Sequence, residues 1–68
     1  MNNKVFDRVL EANKNYIDAL NKNATAYAQT IYLDRCKMLM KELVIEAGLA
    51  QEYREYCEKK IATEGKLF

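Results

Sequence analysis

Few side chains in this sequence are equipped for chemistry, and the missing types say as much as those present. Cys36 and Cys57 are the two cysteines, and their spacing matches no C-x-x-C pattern. Both fall at helical positions that read as apolar, where a free thiol behaves as a small hydrophobe. A disulfide between them is the alternative. The chain has no His and no Ser. That removes an imidazole base, a phosphorelay histidine and the Ser-His-Asp arrangement together. Two thiols without an imidazole cannot complete a tetrahedral zinc site within one chain. Glu52, Glu55 and Glu58 cluster on one predicted helix, and Glu42 and Glu46 stand four apart on another. Carboxylate cages between helices normally include an E-x-x-H element, so these read as solvated faces. The expectation is a protein that is not an enzyme and uses no metal or cofactor.

Binding chemistry remains. Five tyrosines, at positions 16, 27, 32, 53 and 56, are potential stacking platforms for single-stranded nucleic acid. Four of them lie on or beside predicted apolar faces, so ring packing with the hydroxyls reaching water is the simpler expectation. Eleven Lys and Arg against ten Asp and Glu leave a net charge of +1. The signs stay balanced over residues 1–23, 24–47 and 48–68, so no block supplies the basic stripe of a nucleic-acid binder. Nucleic acid is thus an unfavoured partner; Lys37, Lys41, Lys59 and Lys60 with nearby tyrosines would have to carry it. Asn13 sits at the centre of an apolar face, where a lone Asn often fixes helix register or oligomer state.

The end of the sequence, Glu64-Gly65-Lys66-Leu67-Phe68, resembles the Q-x-x-L-F peptides by which proteins dock on bacterial sliding clamps. Leu67 and Phe68 match the apolar pair, and Glu64 stands in place of the usual Gln. The resemblance covers these five residues and implies, as an alternative function, a carrier of a clamp-binding peptide.

These residues must be positioned by helices. Neither Gly nor Pro occurs between Asn2 and Ala47. At about 100° per residue, Phe6, Val9, Leu10, Tyr16, Ile17, Leu20, Ala24, Tyr27, Ala28 and Ile31 lie within about 60° of Asn13. Asn21-Lys22-Asn23 is the weakest helix-forming stretch, so the spacing permits either a long continuous helix or a break at 21–24. From Tyr32 a different face takes over: Tyr32, Leu33, Cys36, Leu39, Met40, Leu43, Val44 and Ala47. Through the charged side opposite it run Ile31, Met38 and Ile45 at seven-residue spacing. Gly48 reads as the left-handed residue that ends this helix, with Leu49 making the apolar contact that accompanies such a stop. A third helix is expected over about 50–64, with the stripe Leu49, Tyr53, Cys57 and Ile61, closed by Gly65.

The fold expected is all-α, one small domain over residues 1–68. It ends in an antiparallel helical hairpin around Gly48, either as a long helix plus a short one or as a three-helix bundle. A chain of 68 residues buries only about 60% of its unfolded surface, which favours association. Ile31, Met38 and Ile45 are the candidate association residues, with Asn13 setting register. The partner expected is another protein, with a homodimer preferred. No apolar run has the length of a signal peptide or a membrane span, so a cytoplasmic protein without membrane contact is expected. The functional expectation is a small interaction module: a regulator, inhibitor or adaptor. Accessory proteins of phages and mobile elements share this size and lack of catalytic residues, by analogy.

Overall fold

With no Gly or Pro to interrupt them, the first forty residues default to helix wherever an apolar face can be buried. The computed structural model, which describes residues 2–67, contains α1 (Asn3–Asn21), α2 (Ala26–Met40) and α3 (Ala50–Glu64). A single π turn, Lys41–Ile45, prolongs α2. Among the described residues there is no strand; the protein is all-α.

The chain breaks between α1 and α2, so the continuous long helix is not formed. Asn23 adopts a left-handed φ of 55°, a region that Asn tolerates better than most residues. Its N–H donates to the Leu20 carbonyl at 3.2 Å, and the Ala24 N–H donates to the Ala19 carbonyl at 2.9 Å. These paired bonds make a Schellman stop. Thr25 then opens α2, its hydroxyl accepting from the Ala28 N–H at 3.1 Å. The same stop recurs at Gly48 (φ 71°), where Gly48 donates to Ile45 and Leu49 donates to Val44 at 2.8 Å.

Phe6, Val9, Ala12, Leu39 and Val44 form the buried core. The buried face of α1 is turned from the one centred on Asn13. Ala12 and Ala19 are buried, whereas Leu20 is exposed and Asn13 half-buried. Two small side chains seven residues apart let α2 approach α1 closely, and the contact rotates toward them. On α2 the inward residues are Leu39, with Cys36 and Met40 partly covered. In the π turn the Glu46 N–H reaches back five residues to the Lys41 carbonyl. Such a turn holds one residue more than an α turn, so residues beyond it are set back by up to roughly 100° around the axis. Val44 is carried fully inside at 1% exposure, and Ala47, expected on the apolar face, is left outside.

Helix α3 leans on the start of α1. The Phe6 ring meets those of Tyr53 and Tyr56 at centroid distances of 5.4 Å. Asn2 donates to a Glu52 carboxylate oxygen at 2.9 Å, and the Tyr56 hydroxyl donates to Asp7. Among the described residues, no Cα of α3 comes within 8 Å of a Cα of α2. The apolar faces of these two helices therefore do not zip together along their lengths.

Candidate functional site

With one side of α2 committed to the core, the other carries apolar residues in water. Tyr27 is 71% exposed, Ile31 51% and Met38 47%. Taking Met38 as zero, Ile31 and Tyr27 lie about 20° to either side, so the three form one line along the helix. The break at Asn23 returns α1 to the far side of α2, and α1 therefore does not cover the line. Ile45 is also exposed, at 62%. The π turn displaces it from the Ile31–Met38 line toward the Lys41 flank, so the straight seven-residue seam ends at Met38. Asp34 and Lys41 border the line on one side, Arg35 and Glu42 on the other, all exposed.

Asn13 stands on α1, half-buried beside the core rather than on this line. The tyrosines divide. Tyr53 and Tyr56 pack on Phe6, Tyr16 is half-buried, and Tyr27 is the most exposed large apolar residue among those described. Burial, and next the neighbouring Cys57 thiol, push the Tyr53 hydroxyl well above its ordinary range. The hydrogen bond to Asp7, followed by burial, pushes Tyr56 up to about 12. Cys36 and Cys57 are both free and half-buried, and burial raises the Cys36 thiol. Of the four lysines considered for nucleic acid, Lys60 is engaged locally. It pairs with Glu64 at 3.4 Å and lies 6.0 Å from the centre of the Tyr56 ring.

A cleft of about 530 Å³ opens between the start of α1 and α3, lined by residues that include Phe6, Tyr56, Glu52, Glu55, Lys59 and Lys60. Its mixed charges and the absence of a buried polar group among the described residues give it no convergent chemistry. No group of three Cys, Asp or Glu among the described residues is placed to hold a metal ion. Leu67 is half-buried after Gly65, and Phe68 lies outside the described residues. No described helix is long and apolar enough to cross a membrane.

No family model, curated protein or solved structure matches this chain. Its function is argued from its own surface. The spacing singles out Ile31, Met38 and Ile45, all exposed here, but groups Tyr27 with the face centred on Asn13. The signal for Tyr27 was present in Thr25, a good N-cap residue two positions earlier, which restarts the helix with a new orientation.

Proposed function

We propose that this protein is a small, non-catalytic helical module that acts by binding protein through the outer face of α2. The observation that supports the reading is the line of Tyr27, Ile31 and Met38, each about half exposed or more, on a helix whose other side is committed to the core. Leaving such a line in water is unfavourable, by about 25 cal/mol for each Å² of apolar surface, and docking a complementary surface recovers that term. Charged residues on both flanks keep the free protein soluble and set the orientation of what docks. In this reading the protein is cytoplasmic and works as a regulator, inhibitor or adaptor. Ile45 extends the surface past the π turn, and Asn13 lies outside it.

The test is site-specific cross-linking in the native host. A photoreactive side chain replacing Met38 is expected to capture a defined protein, while the same group replacing Arg54, exposed on α3, captures none. Equal capture from both positions, or none from Met38, removes this face as the working surface.

A further inference from the structure

We propose that the protein docked on α2 is a second copy of this chain, with the two α2 helices antiparallel and crossing at Met38. The proposal rests on the outer face of α2 being the working surface, and three features of the chain select a copy as its occupant.

The first is shape. The molecule measures 35 × 28 × 15 Å, with a radius of gyration of 12.7 Å. A compact 68-residue chain has a radius near 11 Å. The chain is therefore more spread out than a compact monomer of its length, with α2 covered by α1 on one side only.

Area gives the second. Compact monomers of 7.9 kDa expose about 4,400 Å², whereas this chain exposes 5080 Å². The excess, roughly 700 Å², is close to the 800 Å² or so that each partner buries in a standard interface. Surface of that extent needs no large partner to cover it.

Charge is the third. Asp34 lies four residues before Met38 and Lys41 three after, on the same flank; Arg35 lies three before and Glu42 four after, on the other. A two-fold axis through Met38, perpendicular to the helix, sets each flank against itself with the direction reversed. Asp34 of one copy then stands level with Lys41 of the second, and Arg35 with Glu42, within one residue's rise. All four facing pairs are of unlike sign, and Met38 meets Met38. Ile45 of one copy comes level with Ile31 of the second, offset toward the Lys41 flank by the π turn. A strongly acidic or basic partner finds no such match on a surface whose signs cancel. Running the helices antiparallel also opposes their dipoles, which a parallel pairing aligns.

Sedimentation equilibrium over a micromolar to millimolar range tests the proposal, with circular dichroism confirming that each variant keeps its helices. Wild type is expected to move from monomer to dimer, and Met38→Glu to remain monomeric. Asp34→Lys is expected to weaken dimerisation at least about tenfold, since it sets like charges together. Adding Lys41→Asp to Asp34→Lys restores the antiparallel pairs and hence the dimer. In a parallel dimer the double variant instead faces Arg35 with Lys and Glu42 with Asp, and does not recover. A wild type that stays monomeric throughout, a dimer indifferent to Met38→Glu, or a double variant that fails to recover overturns the proposal. Should Met38 still cross-link a different protein in the host while wild type stays monomeric, the second copy is refuted and the interaction surface stands.

Discussion

The pairing of α1 with α2 and the seating of α3 are held by different means. Between α1 and α2 lie Val9, Ala12, Leu39 and Val44, each at most 6% exposed, with the small alanines permitting a close approach. Helix α3 has no fully buried residue. It is held by two tyrosine rings on Phe6, one edge-on and one tilted, and by hydrogen bonds to Asn2 and Asp7 at the surface. Its outer half carries Ile61 at 48% exposure. The first arrangement derives from apolar burial and close packing, which lose several kcal/mol when cut. The second derives from partly wet contacts worth about 1 kcal/mol each. Local opening should therefore begin at α3 and leave α1–α2 in place.

The largest expected effect comes from cutting the tight pair. Leu39→Ala removes a buried side chain between α1 and α2 at a cost of roughly 2–5 kcal/mol. Domains of this length have a total stability of roughly 3–10 kcal/mol. Urea titration followed by circular dichroism should show the entire helical signal lost at a much lower midpoint. If only part of the signal is lost and the rest unfolds at the wild-type midpoint, α1–α2 is not the core on which the rest depends.

The two terminating glycines sharpen the comparison at a smaller scale. Gly48 and Gly65 have φ of 71° and 77°, and a Cβ on either meets nothing within 4 Å. Alanine at either position therefore costs backbone strain alone, about 1–2 kcal/mol for a left-handed residue. At Gly48 that strain lies between the core and α3, so the full amount should appear as lost global stability. At Gly65 the end of α3 can relieve it by fraying, and the midpoint should hardly move. Equal losses in Gly48→Ala and Gly65→Ala would show that α3 is as firmly integrated as α1 and α2.

Much of this contrast is legible in the residues themselves. The limits of α3, the stop at Gly48 and the apolar line through Ile31 and Met38 follow from left-handed glycine and from helical period. Asn21–Asn23 marks the possible break, but period alone cannot choose it, because the apolar face continues in phase through Ala24, Tyr27 and Ile31. Tertiary packing decides it, by folding α1 back onto Leu39 and Val44. The π turn has no signature at all: Lys41–Ile45 contains neither Gly nor Pro, and it forms where one extra residue turns Val44 inward. The rotation of α1 toward Ala12 and Ala19 was missed for a related reason. Hydrophobicity ranks Leu20 above alanine, whereas close helix approach rewards the smaller side chain.

The smallest effect, and the most selective, concerns Tyr56. Its hydroxyl donates to Asp7 across the α1–α3 contact, and that bond, more than burial, raises its pKa from 10.0 to about 12. The folded state thus holds the proton more tightly than the unfolded chain does. The stabilisation is fully present below about pH 10 and is lost as pH rises toward about 12, where the folded form also ionises. At neutral pH, Tyr56→Phe should cost no more than about 1 kcal/mol, the range of a single partly exposed hydrogen bond. The stability difference between wild type and Tyr56→Phe should shrink through that alkaline window, a subtraction that cancels every other titrating group. Leu39→Ala shows no such closing, because the contact it removes carries no proton. A Tyr56→Phe difference that stays constant across the window would mean that α3 is held by the rings on Phe6 alone, with the bond to Asp7 contributing nothing.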